Sequence, residues 1–153
     1  MIRFSPSHLI TVDAAAAGEA PRRSISGVAV EWNQIAVVSS GEKVMFLPGS
    51  LPVDGRNPKL YLQHDPMQII GQVVERIDSG DALMFRATVS ATELGNTALT
   101  LMGDGTLSEV SVGVNVEKFS YNKENVMMIE SATFNELSVV SQPAFATSVI
   151  TDV

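Results

Sequence analysis

The stretch Gly103–Val116, GDGTLSEVSVGVNV, decides how this chain is read. Taken as a strand, its side chains alternate, so Val110, Val112, Val114 and Val116 face one way while Ser111, Gly113 and Asn115 face the other. A serine therefore sits mid-strand, flanked by core residues. By itself the run reads as a half-buried strand carrying a surface serine. Two other segments give that serine company: LQHD at Leu62–Asp65 and FNELSVVSQPA at Phe134–Ala144.

Outward from this strand, Thr92–Met102 predicts a helix, with Thr92 as its cap, a stripe of Leu94, Ala98, Leu101 and Met102, and Gly103 as its stop; Gly95 weakens it. Before the helix, Ile69–Ile77 and Leu83–Val89 are apolar runs joined by DSGD, a hairpin signal. Lys59–Asp65 is read as a strand with Leu60, Leu62 and His64 on one face, ended by Pro66. Further upstream, ISGVAVEW alternates as a strand, Ile35–Ser39 and Lys43–Leu47 are strand pieces, and Pro52–Pro58 is a polar loop. After the serine strand, Val126–Phe134 and Glu136–Val140 are expected as two strands, with Pro143 ending the second and ATSVITDV docking as a last short element. Residues 1–23 are read as an N-terminal segment, an edge strand followed by a flexible linker through AAAAGEAP, and residues 24–153 as the folded domain. Many short strands and one helix make a mainly β protein, a meander of antiparallel strands.

Composition narrows the function. The 153 residues suffice for one domain with a real core, and 45% apolar against 18% charged residues is a globular balance. A formal charge of −7, with no cluster of Lys and Arg interleaved with aromatics, excludes nucleic acid as the expected partner. No apolar run approaches a membrane span, so no membrane association is expected and the protein is read as soluble and cytoplasmic. The chain has no cysteine, so any nucleophile is an oxygen or an amine. With only two histidines and no cysteine, a structural zinc site is not expected.

A serine hydroxyl becomes a useful nucleophile when a neighbouring base takes its proton, and histidine suits that role at neutral pH. Ser111 and His64 form the candidate pair, since His8 lies in the opening segment. A third group must hold the imidazole. Glu136 is the first choice, an ionisable residue between apolar neighbours on a strand, where a charge needs a partner. Asp65 ranks second, because it points to the face opposite His64. The plain alternatives stand beside these roles: His64 as a core histidine, Glu136 as a strand start, and Gly113 as a bulge or a close backbone approach rather than room for substrate.

Six segments in order resemble the prohead (capsid maturation) serine proteases of tailed bacteriophages, a family related in fold to herpesvirus assemblin. They are the SGVAV strand, FLPGSL at Phe46–Leu51, LQHD, GQV at Gly71–Val73, GTLSEVSVGV, and FNELSVVSQPAFATSVI. The match spans about Ser26–Ile150. The resemblance implies Ser111 as nucleophile, His64 as general base and Glu136 as the third member, with Ser108 a poorer fit because no glycine follows it by two residues. Val114 stands where the family's motif usually ends in an aromatic, and Ser50-Leu51 replaces Ala-Phe, departures that bear on the substrate groove.

For the fold, the resemblance implies a closed or nearly closed antiparallel β-barrel flanked by one or more helices, herpesvirus-protease-like. For the activity, it implies an endopeptidase that needs no metal or cofactor. Such enzymes cut the scaffold protein, the scaffolding segment of the major capsid protein, or themselves, inside the procapsid in the host cytoplasm. By analogy with the related viral enzymes, a homodimer and activity that waits on dimerisation or confinement are compatible with it. The end near Val153 suits a naturally short enzyme or one trimmed of a targeting segment. The rival from another class is a catalytically inactive barrel kept as a structural or scaffold-like module of capsid assembly. A small-molecule-binding barrel finds little support among six Phe, two Tyr and one Trp.

Overall fold

The computed structural model describes residues 2–4, 10–12, 23–38 and 40–141. The expected C-terminal element ATSVITDV, His8, and the linker over residues 13–22 lie outside the described residues.

Among the described residues, ten strands build a single curled, half-barrel sheet, and one helix accompanies it. In chain order they are β1 (Ile2–Phe4), β2 (Thr11–Val12), β3 (Ser24–Glu31), β4 (Ile35–Val37), β5 (Lys43–Phe46), β6 (Lys59–Leu62), β7 (Asp65–Asp78), β8 (Ala82–Val89), α1 (Glu93–Gly103), β9 (Glu109–Tyr121) and β10 (Met127–Val140). The hydrogen-bonded path runs β1-β9-β10-β6-β7-β8-β3-β2, with β5 also on β10 and β4 on β5. The ladder thus has open ends at β1 and β2, and one backbone bond, Ile10 N–H to the Ser108 carbonyl at 2.8 Å, joins the residue before β2 to the residue before β9, the neighbour of β1.

The period-2 pattern of the valines is realised: Val110, Val112 and Val114 of β9 are buried with Leu137 and Val139 of β10, forming the inner face of the sheet. The 78–82 hairpin forms as expected, with Gly80 at φ 95° in its turn. In β3 a register shift between Val28 and Val30 buries both Ala29 and Val30, which strict alternation had put on opposite faces.

The helix also forms, and Thr92 Oγ1 accepts the Gly95 N–H as its cap. Gly95 is a requirement here, because a Cβ at that position would lie 2.1 Å from the Ser90 carbonyl oxygen. The stop is two residues later than expected: Asp104 is the C-cap, and Gly105, at φ 83°, takes the left-handed position that a Cβ disfavours.

Two expectations need correction. The sheet is not an antiparallel meander throughout, since β5 and β6 both pair with β10 in parallel, at Met127–Ile129 and Glu136–Val139 respectively. They occupy one edge of the same long strand in succession while β9 takes the other edge, and the polar segment 47–58 loops out between them. Such pairings join residues about 80 positions apart and leave no local pattern. Nor does Pro66 end a strand. It is the second residue of β7, in a bulge between the pairs Leu62 with Asp65 and Tyr61 with Ile69, where no ladder hydrogen bond is asked of its nitrogen.

Candidate active site

Position in the sheet brings the first two groups together. Ser111 of β9 lies directly opposite Ser138 of β10, and Gly113 opposite Glu136, so all four share the outer face. Glu136 reaches that face through a bulge. Phe134 pairs with Val114 on the core side, then Asn135 is an extra residue with no partner, and Glu136 meets Gly113. Were the ladder regular from Phe134 onward, Asn135 would oppose Gly113 and Glu136 would oppose Val112 and point into the core. The expected break between two strands at this point is therefore a bulge inside one continuous 14-residue strand.

The imidazole arrives from a different element than expected. His64 is in the two-residue turn between β6 and β7, with Gln63 at φ 56° and His64 at φ 58°. Neither is a glycine or asparagine, the residues such a turn usually carries, so tertiary bonds hold it. The Gln63 N–H donates to the Val139 carbonyl at 2.9 Å, its side-chain amide donates to Ser141 Oγ at 2.8 Å, and the His64 N–H donates to Ser138 Oγ at 3.0 Å. A left-handed non-glycine pair persists when its surroundings fix it from several sides.

The turn delivers the ring over the two strands. His64 Nε2 lies 2.8 Å from Ser111 Oγ, and Nδ1 lies 2.7 Å from Glu136 Oε1. Ser111 is fully buried, Glu136 is 3% exposed and His64 9% exposed, so these contacts form out of water, where they are strong. An ionised Glu136 only accepts, so Nδ1 carries the proton and Nε2 faces the serine as an acceptor. The arrangement can take a proton from Oγ and stabilise the imidazolium that results.

The structure thus brings Ser111, His64 and Glu136 into one hydrogen-bonded chain. Asp65, the second choice for the carboxylate, is turned away and accepts the Met67 N–H at 2.9 Å. Ser108 precedes β9, and its carbonyl accepts the Ile10 N–H. Among the described residues no group of His, Asp and Glu gathers as a metal site.

Sequence reasoning alone assigns Ser138 no role. Its hydroxyl donates to Glu136 Oε2 at 2.8 Å and accepts the His64 N–H, tying carboxylate and turn together from a fully buried position. Its place two residues after Glu136, on the same strand face, was the signal that could have found it. Ser138→Ala is expected to lower unfolding stability by about 1–3 kcal/mol, the cost of leaving a buried donor and a carboxylate oxygen unpaired. Urea denaturation measures this, and a midpoint equal to the parent's would show that the two bonds contribute nothing.

Among protein families, the caudovirus prohead serine protease family matches residues 10–153. The chain belongs to that family. The resemblance drawn from the six sequence segments is borne out. No curated protein matches this prohead protease family member. Among solved structures, the capsid assembly protease of bacteriophage T4 is similar, with a TM-score of 0.63 at 14% identity, covering 92% of this chain and 96% of that one. At that identity the likeness shows a shared fold.

Proposed function

We propose that this chain is a serine endopeptidase of capsid maturation, with Ser111 as nucleophile, His64 as general base and Glu136 as the group that holds and charges-balances the imidazole. In the reaction, Ser111 Oγ attacks the scissile carbonyl carbon as its proton passes to His64 Nε2. The C–N bond then breaks, with that proton going to the departing amine, and an acyl-enzyme ester on Ser111 remains. Water, deprotonated by the same nitrogen, hydrolyses the ester and restores the serine. The observation that carries the reading is the unbroken chain Oγ to Nε2 at 2.8 Å and Nδ1 to Oε1 at 2.7 Å in a member of a serine protease family.

The substrates in this reading are the scaffold protein, the scaffolding segment of the major capsid protein, or the chain itself, cut inside the procapsid in the host cytoplasm. No metal or cofactor takes part. The reading also takes the sheet as a nearly closed barrel of the herpesvirus protease type, supported by the Ile10 to Ser108 bond from the approach to end strand β2 to the approach to β9.

A fluorophosphonate probe tests the nucleophile directly. Modification is expected at Ser111, mapped by peptide mass spectrometry, and His64→Ala is expected to abolish it. Absence of labelling would replace this reading with that of an inactive assembly module, labelling at another serine would move the nucleophile away from Ser111, and labelling indifferent to His64 would remove His64 as the base.

A further inference from the structure

The strand that carries the nucleophile has two edges, and they meet different partners. On the β10 side, the Val139 carbonyl points away toward β6, where it accepts the Gln63 N–H at 2.9 Å. The preceding residue, Ser138, therefore turns its N–H and C=O toward β9 and exchanges both bonds with Ser111. By the same alternation Val110 and Val112 offer their backbone groups to the opposite edge, as does Ser108, whose carbonyl accepts the Ile10 N–H.

That opposite edge holds the chain's own N-terminal segment. β1 pairs with it antiparallel, Ile2 opposite Val114, Arg3 opposite Gly113 and Phe4 opposite Val112, while Ile10 bonds Ser108. Ser111 lies between these two contacts. His64 and Glu136 reach the serine from the β10 side and leave this edge to whatever strand lies along it.

Neighbouring strands run about 4.8 Å apart, so a peptide on this edge carries its carbonyls past Ser111 within side-chain reach. Backbone bonds to Val110 and Val112 hold such a peptide extended and in register whatever its sequence. β1 has the weaker hold there. It is three residues long, and among the described residues it pairs with β9 alone, on one side. Terminal strands of this kind open at low free energy, and β9 keeps its ladder to β10 when β1 leaves.

We propose that the edge of β9 beside Ser111 is the docking strand for an extended substrate peptide, which binds antiparallel to β9, and that β1 is the chain's own occupant of that edge and must leave before the substrate is cut. This rests on the protease reading above.

The chain has no cysteine, so one disulfide can pin β1. Ile2→Cys with Val114→Cys places the pair at opposed positions of the two strands, and Val114 faces the core, away from the serine's face. The oxidised form is expected to cleave a scaffold or capsid substrate at least about tenfold more slowly than the reduced form, because only chains with β1 undocked admit the peptide. A fluorophosphonate needs no strand edge, so its labelling of Ser111 is expected to be equal in both forms. Phe4→Pro acts in the other direction: it removes the N–H that Phe4 gives to Val112, and KM is expected to fall about threefold or more with kcat unchanged.

Equal cleavage by the oxidised and reduced forms, labelling that falls as far as cleavage, or a Phe4→Pro KM no lower than the parent's overturns the docking strand, while a labelled parent keeps the triad. If the paired-cysteine variant does not label even when reduced, Phe4→Pro decides alone. A parent chain that does not label overturns the triad, and the docking strand with it.

Discussion

Replacing Ser111 with alanine is expected to lower turnover by about 10⁶-fold, the loss seen when one member of a serine triad that acts as a unit is removed. The substitution takes away only the oxygen that faces His64 Nε2, and the neighbours Val110 and Val112 keep their core contacts. Folding is expected to survive, so the loss falls on chemistry. His64→Ala is expected to cost about as much, and the double variant no more than either, because a hydroxyl without its base and a base without its hydroxyl are equally idle. Cleavage of a scaffold or capsid substrate measures all three. Near-parental cleavage by Ser111→Ala, or losses that multiply in the double variant, would sink the assignment of this pair.

Glu136→Gln is expected to cost about 10⁴-fold in turnover, the scale of an amide replacing the carboxylate of a Ser-His-acid triad. Ser138 decides how that amide sits. Its hydroxyl already accepts the His64 N–H, and its own proton needs an acceptor at the position of Oε2. The amide oxygen therefore turns to Ser138 and the amide nitrogen to His64 Nδ1. That nitrogen then has to accept, which moves the ring proton to Nε2 and leaves nothing to receive the proton of Ser111. Heteronuclear NMR of the imidazole distinguishes the two tautomers. A variant that keeps Nδ1 protonated and loses less than about tenfold in turnover would remove Glu136 from the mechanism.

Local rules reached a definite depth in this chain. The alternation of Val110, Val112 and Val114 against Ser111 and Gly113 reads directly, because a strand's side-chain period is fixed by its own backbone. Thr92 as cap and the DSGD hairpin are legible for the same reason, since each depends on residues a few positions apart. Residue chemistry made Ser111, His64 and Glu136 candidates beside plainer alternatives, and the resemblance across six separated segments, beyond the reach of any local period, is what set them above those alternatives.

What the amino-acid order alone determined was therefore which residues could share a face, and which short segments turn or coil. The fold decided the rest. Gln63 and His64 form a left-handed turn that neither residue favours, held by Val139, Ser141 and Ser138, each more than 70 positions away. The unpaired Asn135 rotates Glu136 from the core side to the site, and β5 and β6 find the same edge of β10 in parallel. Register and partner choice are collective: they depend on how many apolar side chains are buried and how many buried polar groups are satisfied across the whole sheet, quantities that exist only once distant strands have met.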